Sequence, residues 1–202
     1  MKSSPVVAGE QAAAGVAAAI LKFIRRIPSS SERKSRTPVK AARNRANAAA
    51  AKAALAAGTL ALPPGPLGWL TILPEMMAVW RIQSQMVADI AALYGRKATL
   101  TEEQMVYCLF RHSAAQAVRD LVVRVGERVL VKKASLALLQ TIAHNVGLRL
   151  TRKAIGKGLS RWIPVAGAIG VGAYAWCDTA QVAATAIELF EREITVEGTA
   201  PV

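Results

Sequence analysis

Apolar residues along this chain recur at helical spacing, in blocks separated by proline, glycine and serine. Val16, Ile20, Phe23, Ile24 and Ile27 lie three and four apart, which sets them on one face of a helix from about Val7 to Ile27. Residues 28–38 hold two prolines, four serines and four charges, and predict a polar linker with nothing to bury. An alanine-rich helix follows, from about Val39 to Leu62. The run Leu62-Pro63-Pro64-Gly65-Pro66-Leu67-Gly68-Trp69 forces it to end. The next helix reaches about Tyr94, with Gly95 as its stop. Its apolar face is Met76, Val79, Trp80, Met86, Val87, Ile90 and Tyr94. Gln83 falls inside that face, so its amide must find a partner on another helix.

Thr99 and Glu102 have the spacing of a capping box and predict a new helix start. Val106, Phe110, Ala114, Val118 and Val122 then recur every four residues, a spacing that drifts around a 3.6-residue helix. A break near Ser113 to Ala117 resolves the drift. The part after the break is expected to be helical, with Arg124, Arg128 and Lys132 on one face. A further helix spans about Ser135 to Lys153, and Gly156 and Gly158 mark a loop. The last helix runs from about Pro164 to Glu193. Its first half, Val165 to Trp176, is apolar all round, as in helices enclosed by protein or by lipid. Gly167, Gly170 and Gly172 there would let a neighbouring helix pack closely. Asp178, Gln181, Thr185, Glu188 and Arg192 form a polar stripe on the second half.

The expected fold class is all-α: a multi-helix bundle with a basic amphipathic N-terminal helix and apolar helices broken by proline and glycine. The expected organisation is a basic helix and linker over 1–38, a helical domain over 39–193 and a flexible tail over 194–202. Neither of the two most apolar stretches predicts a membrane span. Ala53 to Leu73 is cut by Pro63, Pro64 and Pro66, and Trp162 to Cys177 is too short and stops at Asp178. The N-terminus has the features of neither a secretory nor a twin-arginine signal.

Charge sharpens the picture. The formal net charge is +13, from 26 Lys and Arg against 13 Asp and Glu, and it calls for an anionic partner. Lys22, Arg25, Arg26, Arg33, Lys34, Arg36, Lys40, Arg43 and Arg45 fall within 24 consecutive positions. Such a run attracts lipid headgroups or phosphates without sequence preference. With Ile20, Phe23, Ile24 and Ile27 as an apolar contact, the first helix has the pattern of one lying in a membrane interface. An ordinary terminal helix docked on a core has the same pattern. Nucleic acid is the alternative partner, and it rests on charge alone, since no helix-turn-helix signature or aromatic stacking platform accompanies the charge.

No residue set stands out as catalytic. Cys108 and His112 are four apart, a spacing open to a metal or a thiolate–imidazole pair, but neither CxxC nor HExxH occurs. Cys108 and Cys177 are expected to be reduced and buried in apolar helices. Glu75 and Asp89 stand roughly 21 Å apart along one straight helix, too far for an acid–base pair. The glycine cluster around Gly170 lacks the Lys-Ser/Thr of a phosphate loop. No catalytic residue, metal site or cofactor is assigned from these residues and no small-molecule ligand is identifiable, which leaves an enzyme with an unrecognised site as a further alternative.

Two segments together resemble the EcsC family of bacterial proteins. One is the Leu62-Pro-Pro-Gly-Pro-Leu-Gly break with the helix that ends Ile90-Ala-Ala-Leu-Tyr-Gly95. The other is Ile163-Pro-Val-Ala-Gly-Ala-Ile-Gly170 through Gly172, with the helix after it. The two blocks frame residues 40–193, and the stretch from Cys108 to Leu159 carries no part of the resemblance. The resemblance implies an α-helical bacterial protein in the cytoplasm, at the cytoplasmic face of the inner membrane. It brings no catalytic residues; together with the basic first helix, the polybasic linker and the apolar helices it makes anionic membrane lipid or a membrane protein the expected partner.

Overall fold

The computed structural model describes residues 18–23, 26–60, 68–112, 115–118, 121–125, 128–131, 137–146 and 164–192. The chain folds as an all-α, multi-helix bundle, with one short two-stranded ribbon among the described residues. Helix α1 covers 18–23. An extended strap over 26–35 leads to α2 (Pro38–Leu60), followed by α3 (Gly68–Leu93), α4 (Glu102–Phe110) and α5 (Ala115–Val118). Strands β1 (Val122–Val125) and β2 (Arg128–Val131) come next, then α6 over 137–146 and α7 (Pro164–Glu191).

Helix α2 forms because alanine fills it, and it packs closely for the same reason. Ala42, Ala46, Ala49, Ala50, Ala53 and Ala57 are all buried, and none of them holds a neighbour away. Helix α7 lies antiparallel along α2. Near one end Gly172 approaches Ala54; at the other, Arg43 and Glu191 line the same groove. A Cβ on Gly172 would sit 3.0 Å from the Ala54 carbonyl oxygen, so here the glycine is required by the approach of a backbone. Gly170 differs from expectation: a Cβ there would meet nothing within 4 Å, because this side of α7 faces outward. Gly167 lies on α7, but the surroundings of its side are outside what is described.

Helix α3 completes the central layer. Trp80 meets Phe110 of α4 edge-on at 5.5 Å between ring centroids, and Phe23 of α1 at 6.1 Å. Ile20 is fully buried in the same core. These contacts overturn the expected outward role of Ile20 and Phe23, because the apolar face of α1 is docked on the protein. Ile27 is 37% exposed, and Ile24 lies outside the described residues.

Helix α3 stops where Gly95 predicts. The Arg96 N–H donates to Ala91 O and the Gly95 N–H to Ala92 O, with Gly95 at φ +76°, which is the left-handed Schellman ending. The aliphatic chain of Lys34 crosses directly over that glycine. The strap is therefore no free tether, although its residues are almost all polar. Ser30 Oγ donates to Asp89 Oδ1 (2.7 Å), Gln85 Nε2 donates to Ser29 O and Asp89 Oδ1 (both 3.0 Å), and the Ser35 N–H donates to Leu93 O (2.9 Å). Glu32 pairs with Arg45 of α2.

Three local expectations shift. The capping box forms two residues later than expected, between Thr101 and Gln104, and α4 starts at Glu102. The break after α4 falls at Arg111 and His112, just ahead of Ser113. Beyond it, the expected helix with Arg124 and Arg128 on one face is an antiparallel ribbon in which Val122 pairs with Val131 and Val125 with Arg128. Three of four β1 residues are valine, whose branched side chain favours the extended backbone.

The two glycines of α7 give a paired test. Gly170→Ala should raise stability by about 0.5–1 kcal/mol, since it removes backbone freedom and meets no clash. Gly172→Val should lower it by about 1–3 kcal/mol through overpacking against α2. Urea unfolding of both variants checks the difference, and equal effects would show that α2 and α7 do not meet at Gly172.

Candidate functional site

Three features outside ordinary core packing can be built from these elements. The first is a basic end, where α2 begins and α3 and α7 finish. Of the cations picked out by the sequence, Lys22, Arg26, Arg33, Lys34, Arg36, Lys40, Arg43 and Arg45 are exposed, and Arg25 lies outside the described residues. The fold gathers Lys34, Lys40 and Arg43 here and adds exposed Lys97 just past α3 and Arg192 just past α7. Sequence reasoning missed these last two because they become neighbours only through the antiparallel packing. The acids nearby are largely engaged: Glu32 with Arg45, and Glu188 with Arg111 (2.7 Å) and Arg192 (3.6 Å). Exposed pairs of this kind contribute little to stability, and their main effect is on the local field.

The second feature is the outer face of α2 and α7. Between Ile169 and Trp176, protein encloses only one side of α7. Gly172 and Ala175 are buried, whereas Ile169 (68% exposed) and Trp176 (42%) face outward, as does Leu55 of α2 (69%). Between the helices runs an open groove of about 610 Å³, with Ala50, Trp176, Ala180 and Ile187 along it and Arg43, Glu191 and Arg192 at one end. Tyr94 lies at that end. Burial raises the pKa of its phenol and the Glu191 carboxylate raises it further, against a smaller opposing effect of Arg43.

The third feature is a buried polar cluster joining α3, α4 and α7. Gln83 is fully buried, as its place in an apolar face implied, and it finds the partner that the sequence demanded. Its Nε2 donates to Asp178 Oδ2 (2.7 Å) and Thr179 Oγ1 (3.1 Å). The other Asp178 oxygen accepts from His112 Nε2 at 2.7 Å. Asp178 thus holds two helices to α7 with one carboxylate. Gln83 Oε1 and His112 Nδ1 are buried without a hydrogen-bond partner.

That geometry leaves little room for the chemistry considered for Cys108 and His112. Asp178 engages Nε2 of His112, and the buried Nδ1 has no hydrogen-bond partner. Cys108 is fully buried, and desolvation pushes its thiol well above the usual range, against a smaller opposing effect of Arg111. A thiol held neutral is a poor nucleophile and a poor metal ligand. Among the described residues, no group of three or more His, Cys, Asp or Glu comes together as a metal site. Cys177, expected to be buried, is exposed, because it lies on the outward side of α7.

No family model matches the chain, and no curated protein or solved structure matches it.

Two outcomes follow from the cluster. Asp178→Ala leaves buried Gln83 and half-buried His112 without their shared acceptor and should cost about 2–4 kcal/mol, read as a fall in the urea midpoint. An unchanged midpoint would mean that Asp178 does not join the helices. The raised Cys108 pKa has a definite sign in linkage. Its contribution is fully present below the thiol's unfolded value and is lost as pH rises above it, because the unfolded chain ionises first. Stability should therefore fall above about pH 8.5, with a slope approaching about 1.4 kcal/mol per pH unit from this group. Cys108→Ala should flatten that alkaline limb.

Proposed function

We propose that this protein is a non-catalytic helical interaction protein, held peripherally at an anionic membrane surface by its basic end. The observation that carries this reading is the exposed cluster of Lys34, Lys40, Arg43, Lys97 and Arg192, continued along the strap by Arg33 and Arg36. Each Lys or Arg brought close to an anionic surface contributes about 1 kcal/mol, and the attraction fades within a Debye length of about 8 Å. A handful of such contacts is enough to hold a small protein. Among the described residues, no helix is long and apolar enough to cross a membrane, in keeping with attachment from one side. The resemblance to the EcsC family supports the same location, the cytoplasmic face of a bacterial inner membrane. An acidic membrane protein is the other partner this surface suits.

Sedimentation with lipid vesicles tests the reading. The protein should bind vesicles of phosphatidylcholine mixed with phosphatidylglycerol, release at high salt, and ignore phosphatidylcholine alone. Replacing Arg33, Lys34, Arg36, Lys40 and Arg43 by glutamine should weaken binding roughly a hundredfold or more at low salt while leaving the fold intact. A parent protein that ignores anionic vesicles and shifts duplex DNA instead would replace this reading with nucleic-acid binding.

A further inference from the structure

We propose that the outer face of α2 and α7 is the surface that meets lipid, with both helices lying along the bilayer and Leu55, Ile169 and Trp176 inserted among the chains. The proposal rests on the peripheral-membrane reading above and assigns its contact surface. Ile169, Ala173, Trp176, Ala180 and Ala184 follow one another at spacings of three and four, so they form one ridge of α7. All five are exposed, and none is charged. Leu55 stands beside this ridge on α2, since Gly172 and Ala54 touch. Isolated exposed apolar residues are ordinary, but two aliphatic side chains more than two-thirds exposed beside an exposed tryptophan form a patch. Tryptophan suits the boundary between headgroups and chains, where its ring is apolar and its N–H is wet.

Charge complementarity selects lipid as the occupant. Lys52 lies three residues before Leu55 and so flanks it on the same side of α2. Lys40 and Arg43 lie farther along the helix, and Arg192 is at the matching end of α7. The acids on this side are Glu188, which is held by Arg111 and Arg192, and exposed Glu191. An apolar strip with cations at its borders fits an anionic bilayer, where long basic side chains reach up to headgroups while their stems stay apolar.

Length then fixes the orientation. Lys40 and Leu55 are separated by roughly 22 Å of helix rise. With the bundle upright on its apolar end, the basic end would stand more than two Debye lengths from the surface and contribute almost nothing. With the basic end down, Leu55 and Ile169 would stay in water. Only with α2 and α7 flat on the surface do both groups engage at once.

The test uses a thiol already in place. Cys177 is exposed beside Trp176 and Cys108 is buried, so a charged maleimide should label Cys177 alone in the native protein. Vesicles of phosphatidylcholine with phosphatidylglycerol should slow that labelling roughly tenfold or more, and phosphatidylcholine alone should not. Leu55→Glu with Ile169→Glu should weaken vesicle binding roughly tenfold or more while melting like the parent. If bound protein still labels at full rate and the double variant binds as tightly as the parent, this face is not the contact, although the peripheral reading survives. If the parent ignores the vesicles, the peripheral reading fails and takes this proposal with it. If Cys177 is protected without lipid, in step with dimer formation by sedimentation velocity, a second copy of the chain covers the face and the proposal is overturned.

Discussion

The close approach of α2 and α7 is the constraint on which the rest of this structure depends. Alanine along α2 and glycine at position 172 let two backbones come near van der Waals contact. Small side chains bury little apolar area each, so this seam gains less from the hydrophobic effect than a leucine seam would. It gains instead from many short contacts and from the low entropy cost of ordering side chains that have few rotamers. The larger side chains, Trp80, Phe110, Met105, Leu109 and Ile90, sit on the other side of the bundle around α3 and α4. Bulk on one side and alanine on the other leaves the α2–α7 side thin, and it is there that Leu55, Ile169 and Trp176 are left uncovered.

Asp178 sits where these two regions meet. Buried polar groups fix relative positions in a way that alanine cannot, because a hydrogen bond has direction and an alanine contact slides. By binding Gln83 of α3 and His112 at the end of α4, the carboxylate sets the rotation of α7 about its own axis. That rotation decides which residues of α7 lie in the seam and which face outward. The polar cluster and the apolar face are thus two results of one alignment.

Much of this was legible in the sequence, and the failures have physical reasons. Gln83 in an apolar face demanded a partner, and one was there. Gly95 after an apolar helix predicted a left-handed stop, and it forms. The offset capping box reflects two overlapping candidates, Thr99 with Glu102 and Thr101 with Gln104, which spacing alone cannot separate. The ribbon was hidden because Arg124 and Arg128 are also four apart, a helical spacing; the better signal was the valine-rich flanks on either side of Gly126-Glu127. Ile20 and Phe23 have the same pattern whether a helix docks on protein or on lipid, and only the position of Trp80 decides between them. The basic run could be read along the chain, but Lys97 and Arg192 join it through tertiary packing. The outward face of α7 was hidden for the same reason, since periodicity is silent in a segment that is apolar all round.

The strap between α1 and α2 has a further consequence. It is fastened mainly by polar contacts, from Ser30 and Gln85 to Asp89, from Ser35 to Leu93 and between Glu32 and Arg45, with the stem of Lys34 packed over Gly95. A segment held mainly by polar contacts opens at a lower free energy than a packed apolar core. Its two ends stay fixed, by Ile20 in the core upstream and Ala42 downstream, so it opens as a closed loop and not as a loose arm. Arg33, Lys34 and Arg36 ride on that loop. Their reach is therefore governed by a local equilibrium, and the bundle need not unfold for those charges to move outward.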